Sequence, residues 1–578
     1  MDEVEKKLTE DQFTAVRMHA KELRILAGAG TGKTRVLTNR IAYQTRALRI
    51  DPQHSLCLTF NKRAAVELQS RLMKLGLGNF VTVGTFHAIA LAQIQARRKD
   101  LRINSEPTLL SNREKFLFEI IPNSLSPAER TFIFNEINWC TAQRVSPNNY
   151  QEVAEKSGRR SLVHHSSISE HYRKFVELKK QRNLLDFDDI LEQAIKFLTE
   201  DTQYADARHW KYQDLFVDEF QDVNPLQFAL LRSWLGANSS LCVVGDPNQA
   251  IYSWNGADSS FLNDFSGYFP EAETVRLRQN FRSTPEILSV SSLLLASDAS
   301  LFANKPNGPL PTIQSHDNEL IEAKNIADRI LQKNSESMRW GDQAVLVRTH
   351  SQIAVITGAL DEKEIPYSIQ TEVKDANNNR SSEAVKILTF HASKGLEWKV
   401  VHISGLEDGL VPIAHAVSQS ERDEERRLLY VALTRAEDEI HLSWSRNRRF
   451  GSNRERKPSI FLKELISALN QSPKPTLSQT PKELAKKIRD FRSQWRADHL
   501  IEPEDFSYEE RLHLLRELRS SIARVNDTSP ENILSDAVLE ELMEEMPDSM
   551  EKLVLISGLS PSIISRFGGQ ILELLSED

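Results

Sequence analysis

This sequence of 578 residues has only three cysteines, and it shows neither a long apolar run nor an apolar segment at its start. Cys57, Cys140 and Cys242 lie far apart and form no CxxC pair, which excludes a disulfide framework and a cysteine-based zinc site. No run approaches the roughly 18 apolar residues that a membrane span requires. The first twelve residues, MDEVEKKLTEDQ, are acidic and polar, unlike a signal peptide. We therefore expect a cytoplasmic protein without membrane contact.

The net charge is unevenly distributed along the chain. The whole sequence carries -8, but residues 507–578 contain fifteen acidic and six basic side chains, a net charge of -9. The other 506 residues therefore carry about +1. Such a near-neutral body can still line one groove with Lys and Arg, so the composition is compatible with nucleic-acid binding.

Strands alternate with helices in two separate stretches, which predicts an α/β fold with two parallel sheets. Apolar runs that predict strands lie at 23–29, 54–60, 214–220 and 240–246 in the first stretch, and at 343–349, 384–390, 399–406 and 439–445 in the second. Polar helical patterns between them predict a helical insertion in the first sheet domain. The Pro-, Ser- and Gln-rich residues 468–481 indicate a linker, and an all-helical domain follows.

A glycine-rich loop follows the first predicted strand and opens a helix. Its residues are Ala27, Gly28, Ala29, Gly30, Thr31, Gly32, Lys33 and Thr34, with Ala27 where the usual pattern has glycine. Backbone N–H groups and the helix N-terminus in such a loop face a triphosphate. Lys33 would contact the β- and γ-phosphates, and the Thr34 hydroxyl would bind Mg²⁺. An ordinary glycine turn is the alternative, which the GKT ending makes the weaker interpretation.

Two adjacent carboxylates, Asp218 and Glu219, follow the apolar run at 214–217. Ligands bind at the carboxyl edge of parallel strands, so both side chains are expected near the triphosphate. Asp218 would hold Mg²⁺, and Glu219 would orient and deprotonate the attacking water. An isolated DE pair is more often a solvated turn, but together with the glycine-rich loop it predicts ATP hydrolysis with ATP and Mg²⁺ at one site.

Further segments resemble, in order, the motifs of superfamily 1 DNA helicases of the UvrD/Rep/PcrA group. The matching segments are LTEDQ (8–12), GTFH (84–87), LDFDD (185–189), DEFQD (218–222), GDPNQAIYSW (245–254), QNFRS (279–283), TFHASKGLE (389–397) and VALTRA (431–436). Eight matches in the family order leave little room for chance. The resemblance implies two RecA-like motor domains in a bacterial, nucleoid-associated enzyme.

The resemblance implies roles at the nucleotide site. Arg282 and Arg435 would act on the γ-phosphate from the second motor domain, and Gln249 would sense this phosphate and the water. The residues implied in nucleotide binding are Gln12, Ala27, Gly28, Ala29, Gly30, Thr31, Gly32, Lys33, Thr34, Arg35, Phe281 and Glu397. Among them Gln12 would read the adenine, Phe281 would stack on it, and Glu397 would contact the ribose.

The resemblance also implies a face that grips single-stranded DNA. Its candidate residues are Phe60, Thr85, Phe86, His87, Tyr252, Trp254, Thr389 and His391. Aromatic rings suit this task because every base has a π-face, although we expect about a third of such aromatic residues to be core. Phe450, between basic flanks in SWSRNRRFGSNRERK (443–457), resembles the tip of a strand-separating hairpin, whereas a solvated loop is the alternative.

The expected domains combine the patterns with the resemblance. They are motor domain 1A at 1–88 and 187–272, a helical insertion 1B at 89–186, motor domain 2A at 273–465, a linker at 466–506 and an HRDC-like domain at 507–578. The family's 2B domain would be missing, because a connection of loop length replaces it after residue 369. The residues of the third motif and the HRDC-like tail look most like those of the second UvrD-like helicase of actinobacteria. The four-cysteine element common in that branch is absent from this sequence.

Together with the resemblance, these patterns predict a DNA helicase that acts as a monomer on single-stranded DNA and on junctions between single and double strands, in repair or replication. The 3′-to-5′ polarity is what the resemblance implies. The alternatives are a translocase that displaces proteins without unwinding and an ATP-gated DNA-binding switch. The acidic HRDC-like domain is expected to bind a protein partner, or the motor's own basic groove as a mimic of DNA, rather than phosphates, because neutralising phosphates requires cations.

Overall fold

The structure, a computed structural model, describes residues 8–575 except 48, 104–106, 160, 296–300, 371–382, 449–454, 472–507, 526–529, 557 and 560. It divides into two compact units, Met1–Leu465 and Ile466–Asp578. The first unit contains two lobes, each built on a six-stranded sheet. Phe450, the predicted hairpin tip, lies outside the described residues.

The sheet of the first lobe is entirely parallel. Its strands are β1 (Glu22–Ala27), β2 (Ser55–Thr59), β3 (Thr82–Thr85), β6 (Asp214–Val217), β7 (Ser240–Gly245) and β8 (Glu273–Leu277). Their order across the sheet is β3-β2-β6-β7-β1-β8. Every residue of β2 is buried, as expected for a central parallel strand that helices cover on both faces. All glycine-loop and carboxylate motifs therefore emerge at one edge.

Helices pack on both faces of this sheet. They are α1 (Glu10–Arg17), α2 (Lys33–Arg46), α3 (Lys62–Lys74), α4 (Phe86–Asp100), α9 (Phe187–Glu200), α10 (Thr202–Lys211), α11 (Pro225–Trp234), α12 (Ser260–Asn263) and α13 (Phe265–Tyr268). Helix α1 begins with a capping box. The Thr9 side chain accepts from the Gln12 N–H, and the Gln12 side chain accepts from the Thr9 N–H. This cap fixes the first helix beside α2.

A separate helical insertion lies between α4 and α9. It contains β4 (Thr108–Leu109), α5 (Arg113–Ile120), α6 (Pro127–Ala142), α7 (Tyr150–Lys156), α8 (His165–Gln181) and β5 (Leu184–Leu185). Phe116, Ile137 and Phe175 belong to its own apolar core. Helix α4 instead contributes Ile89 and Ile94 to the core of the first lobe. The insertion therefore begins after α4, later than the residue 89 expected from the sequence.

The second lobe repeats the parallel arrangement. Its strands are β11 (Thr312–Asn318), β12 (Gln343–Val347), β13 (Tyr367–Ile369), β14 (Val385–Thr389), β15 (Trp398–Ile403) and β16 (Ala436–Asn447), in the order β11-β16-β15-β12-β14-β13. Its helices are α14 (Pro285–Ser292), α15 (Glu319–Ser335), α16 (Ile353–Glu362), α17 (Gln419–Leu433) and α18 (Ile460–Gln471). A small ribbon, β9 (Gln279–Asn280) paired with β10 (Phe302–Ala303), lies where the chain passes between the lobes. The α/β fold with two parallel-sheet domains is thus confirmed.

The C-terminal unit is helical. It contains α19 (Tyr508–Val525), α20 (Pro530–Ile533), α21 (Asp536–Glu545), α22 (Met550–Leu553) and α23 (Pro561–Leu575). Leu515, Leu542, Phe567 and Ile571 are among the residues of its apolar core. Across the described parts of the chain, no helix is long and apolar enough to cross a membrane.

A buried histidine pair lies within the second sheet. His402 on β15 is in register with His441 on β16, and their rings stack with centroids 5.0 Å apart. Neither ring nitrogen of His402 has a hydrogen-bond partner. Burial, together with His441, Arg329 and Lys333, lowers the pKa of His402 well below its usual value. The folded protein therefore keeps His402 neutral.

We predict that His402 makes the protein less stable in acid. Below the unfolded pKa of about 6.5 the unfolded chain takes up a proton that the folded chain refuses, so the free energy of unfolding falls by up to about 1.4 kcal/mol per pH unit. His402→Gln should weaken the fall in melting temperature between pH 7.5 and pH 5. The exposed His350→Gln is the control and should leave the fall unchanged. Equal slopes in all three proteins would contradict the prediction.

Candidate active site

The glycine-rich loop joins β1 to α2 and has the backbone that an anion site requires. Gly30 and Gly32 have positive φ values of 69° and 83°, and Gly32 is the N-cap of α2 without a side-chain cap. The first turn of α2 contains no acidic residue, and Lys33 is its first residue. Uncapped N–H groups at the positive end of a helix attract phosphate.

Asp218 and Glu219 follow β6 at the same edge. Asp218 Oδ2 accepts from Thr34 Oγ1 at 3.1 Å, and the Glu219 carboxylate lies 3.5 Å from Lys33 Nζ. Glu219 has a left-handed backbone with φ of 53°, a strained state for a residue with a side chain. The strand ending thus aims both carboxylates at the glycine-rich loop.

The two carboxyl groups differ in acidity. Burial, together with the neighbouring Glu219, raises the pKa of Asp218. Burial alone would also raise the pKa of Glu219, but Lys33 and Lys394 outweigh it and lower this pKa. Asp218 is therefore short of positive charge, whereas Glu219 is a compensated carboxylate.

Two glutamines connect these carboxylates to the loop after β7. Gln221 Nε2 donates to Glu219 at 2.5 Å, while its Oε1 accepts from the Asp246 N–H at 3.0 Å. The Asp246 carboxylate in turn accepts from Gln249 Nε2 at 2.7 Å. This hydrogen bond positions the Gln249 side chain at the edge of the site.

The second lobe contributes two arginines. Arg282 Nε donates to Glu397 at 2.7 Å, and Arg435 is buried with its guanidinium bound to the carbonyls of Val431 and Leu396. Burial and then the nearby Arg282 lower the pKa of Arg435, because two cations share this region. An anion placed between the lobes would relieve this repulsion.

The glycine-rich loop, Asp218, Glu219, Gln249 and the two arginines face one cleft between the lobes, with a volume of about 770 Å³. The cleft is lined, among others, by Gly28, Ala29, Gly30, Thr31, Gly32, Lys33, Thr34, Arg35, Asp218, Glu219, Gln249, Phe281, Arg282, Glu397 and Arg435. The structure thus brings together the predicted catalytic side chains from both lobes.

Gln12 and Ala27 do not line the cleft. Gln12 is buried, with its Nε2 donating to the Thr31 carbonyl at 2.9 Å and its Oε1 accepting from the Thr9 N–H. Ala27 ends β1 inside the core. Gln12 therefore supports the loop from behind in this structure, and its reading of adenine stays a prediction.

Four of the predicted strand-contacting aromatic residues form one cluster, here called the aromatic cluster: Phe60, Tyr252, Trp254 and His391. Phe60 and Tyr252 stack at 5.5 Å, and Trp254 and His391 lie within 6.4 Å of Tyr252. Trp254 is 51% exposed. Burial, Arg348 and Lys394 lower the pKa of His391 to about 4, so its ring is neutral at physiological pH.

Phe86 requires a correction. Its side chain is 3% exposed, lies in the core of the first lobe and stacks on Trp234. No base can reach that ring. Two other predicted DNA contacts also make structural hydrogen bonds: Thr85 caps α4, and Thr389 of the second lobe accepts from the Ala392 N–H.

His87 differs from Phe86 because it points outward from the same turn. Its ring packs edge-on against Phe187, whose side chain is 51% exposed. Sequence reasoning noted the segment LDFDD but did not single out Phe187. The exposure of this phenyl ring beside His87 is a structural feature that the sequence pattern does not reveal.

Lys394 and Asp222 were also missed, although both lie within recognised motifs. Lys394 Nζ, from the second lobe, donates to the Asp222 carboxylate of the first lobe at 2.6 Å and to the Gln249 carbonyl at 2.7 Å. The same ammonium lies 5.0 Å from the Tyr252 ring centroid. Lys394 therefore contacts both the edge of the cleft and the aromatic cluster.

Comparison with known proteins identifies three regions of the chain. Residues 8–270 match the UvrD/REP helicase N-terminal domain, residues 275–375 and 368–447 match the UvrD-like helicase C-terminal domain, and residues 509–575 match the HRDC domain. The matched helicase regions coincide with the two lobes. The helical C-terminal unit coincides with the third match.

Three similar proteins are named ATP-dependent DNA helicases. The ATP-dependent DNA helicase UvrD2 of Mycobacterium tuberculosis is 28% identical over 690 aligned positions that cover 98% of each protein. The ATP-dependent DNA helicase Rep of Buchnera aphidicola is 29% identical over 63% of this chain and 55% of its own length. The ATP-dependent DNA helicase PcrA of Staphylococcus aureus is 22% identical over 82% and 88%. The first alignment is longer than the chain, so that relative has segments that the chain lacks.

Proposed function

The chain belongs to the UvrD/Rep family of ATP-dependent DNA helicases, and from this membership we propose a motor that moves 3′ to 5′ on single-stranded DNA and unwinds duplexes in repair or replication. The observation that carries the proposal is the shared cleft. Its lining combines Lys33, Asp218 and Glu219 of the first lobe with Arg282 and Arg435 of the second. A nucleotide bound there is acted on only when the lobes come together.

Hydrolysis requires a base and a positive field around the γ-phosphate. Glu219 is the base, with its side chain oriented by Gln221. Its low pKa depends on Lys33. When Lys33 turns towards the phosphates, that compensation weakens and Glu219 becomes more basic. The nucleotide itself thereby activates the carboxylate that deprotonates water.

The donor set beside Lys33 fits Mg²⁺. Thr34 Oγ1 and Asp218 Oδ2 are hard oxygen ligands 3.1 Å apart, and Asp218 is a buried carboxylate with a raised pKa. A divalent cation held by this pair would neutralise charge on the phosphates. Asp218 would hold it, and the Thr34 hydroxyl would complete the protein's contribution.

The aromatic cluster is the proposed grip on the strand. Neutral His391, exposed Trp254 and the Phe60–Tyr252 stack offer π-faces without sequence preference. Lys394 connects this face to Asp222 and Gln249. Opening or closing of the cleft therefore displaces residues at the strand surface.

A translocase that displaces proteins is the second candidate. Strands β13 and β14 are adjacent, and only residues 370–384 connect them. A connection of this length cannot form a further domain such as 2B. Unwinding by this chain would then rest on the two lobes and the segment around Phe450.

We propose that the acidic C-terminal unit binds a protein partner. Asp536, Glu540, Glu544 and Glu545 are exposed on α21. Carboxylates repel the phosphate backbone, so strong DNA binding by this helix is disfavoured.

Replacement of Glu219 tests the motor assignment. Glu219→Gln keeps the shape but removes the base, so ATP hydrolysis stimulated by single-stranded DNA should fall by about 100-fold or more. The wild type should unwind duplexes with a 3′ tail and leave those with a 5′ tail intact, whereas the variant should unwind neither.

Glu152→Gln, in an exposed pair on α7, is the matched control for that experiment and should behave as the wild type. Unwinding from 5′ tails would overturn the polarity. Displacement of streptavidin from biotinylated DNA without strand separation would favour the translocase.

Trp254→Ala should weaken DNA binding, whereas Phe86→Ala should lower the stability of the protein. Loss of one stacking platform should weaken binding of oligodeoxythymidine by about 10-fold, at unchanged melting temperature. Loss of a core phenyl ring should destabilise the first lobe by about 3–5 kcal/mol. Fluorescence anisotropy and thermal unfolding measure the two effects, and a stable Phe86→Ala protein with weak DNA binding would reverse our assignment.

Removal of all residues after 506 tests the role of the acidic unit. DNA affinity and its dependence on salt should stay within about twofold, because the removed segment offers few phosphate contacts. Binding titrations from 50 to 300 mM salt would measure both. A clear loss of affinity together with a shallower salt slope would make the unit a DNA contact.

A further inference from the structure

The carbonyl side of the glycine-rich loop is held by donors from outside the loop. Asn280 Nδ2 donates to the Ala29 carbonyl at 2.6 Å, the Phe281 N–H donates to the Gly30 carbonyl at 2.9 Å, and Gln12 Nε2 donates to the Thr31 carbonyl at 2.9 Å. Three consecutive carbonyls are therefore fixed. In a trans peptide the N–H points opposite to the C=O, so each bond also orients the N–H that follows.

Asn280 makes two further hydrogen bonds with the other end of its side chain. Its Oδ1 accepts from the N–H groups of Arg282 and Ser283, both at 2.8 Å. The side chain is fully buried. One amide thus joins the backbone of the phosphate-binding loop to the backbone that carries Arg282.

The position of Asn280 along the chain gives this bridge its importance. Strand β8 belongs to the first sheet, whereas Ser283 Oγ donates to the Ala436 carbonyl and Arg282 Nη1 to the Thr434 carbonyl in the second lobe. Asn280 therefore lies at the crossing between the lobes. Its bonds set where the second lobe begins relative to the loop.

The close fit of this region explains why residue 30 is glycine. A Cβ at Gly30 would lie 2.6 Å from Asn280 Nδ2 and 2.7 Å from the Arg282 Cβ. Only a residue without a side chain allows β9 to approach the loop so closely. The contact between the loop and β9 therefore depends on both Gly30 and Asn280.

We propose that Asn280 is a positioning residue of the ATPase: it fixes the phosphate-binding loop and Arg282 in the register that the transition state requires. The inference rests on the proposed role of Arg282. Asn280 itself is fully buried and is not among the residues that line the cleft. Its effect should appear in turnover and in transition-state affinity rather than in ground-state nucleotide binding.

Asn280→Asp is the sharpest test because it keeps the shape and the Oδ1 acceptor. It replaces the donor to Ala29 with an oxygen, which repels the carbonyl. With saturating oligodeoxythymidine, kcat should fall about 10- to 100-fold while KM for ATP changes less than about threefold. Affinity for ADP with aluminium fluoride should fall by the same factor as kcat, and affinity for ADP alone should stay within about twofold.

Gln279→Ala is the matched control on the same strand. Its side chain donates to Asn304 at 2.6 Å, away from the loop, so kcat should remain as in the wild type. Asn280→Ala is the second variant if Asn280→Asp has a lower melting temperature than the wild type. It removes all three hydrogen bonds without adding charge. It should show the same kcat loss.

Arg282→Ala separates the two ways in which the inference can fail. If Arg282→Ala is slow but both Asn280 variants turn over normally, the positioning role is overturned and the proposed function stands. An equal kcat loss in Gln279→Ala would reduce Asn280 to a structural part of β9 and also overturn the role. If Arg282→Ala is as fast as the wild type, the proposed role of Arg282 fails and the inference fails with it.

Discussion

The cleft between the lobes contains buried charges that the protein alone does not balance, and the two sheets hold these charges in place. Arg435 is buried beside Arg282, which lowers its pKa, while the buried Asp218 has a raised pKa. Within the part of the chain that the structure describes, neither Arg435 nor Asp218 forms a salt bridge, and the counter-ions that the two would need have opposite signs. In the proposed function a nucleotide with a bound cation would supply both charges at once, so ligand binding would draw the two lobes together.

The sequence predicted those parts of the site that local chemistry determines. Glycines before Lys33 and carboxylates after β6 have meaning within a few residues, and the parallel sheet brings them to one edge. The sequence could not predict contacts between distant segments. Lys394 and Asp222 are 172 residues apart, and only the packing of two lobes makes them neighbours.

Errors in the sequence reasoning have a common physical origin as well. Phe86 and His87 are adjacent in one motif, yet the start of α4 turns the first ring into the core and the second outward. Most of helix α4 was assigned to the insertion because the pattern from residue 89 onwards was interpreted as polar helices. Its Ile89 and Ile94 side chains pack in the first lobe. A pattern predicts that a side chain is buried, but not which core receives it.

The chain segment that crosses between the lobes near residue 282 restricts how they can move. Asn280 and Phe281 are bound to the glycine-rich loop, whereas Ser283 and Thr284 are bound to β16 through Ala436 and Glu437. Rotation of one lobe must therefore be absorbed near residue 282 or break these bonds. Since Arg282 occupies that position, the side chain proposed to reach the γ-phosphate is also the one whose backbone turns. Nucleotide state and lobe angle would then be coupled at this residue, in addition to the Lys394 contact with Asp222 and Gln249.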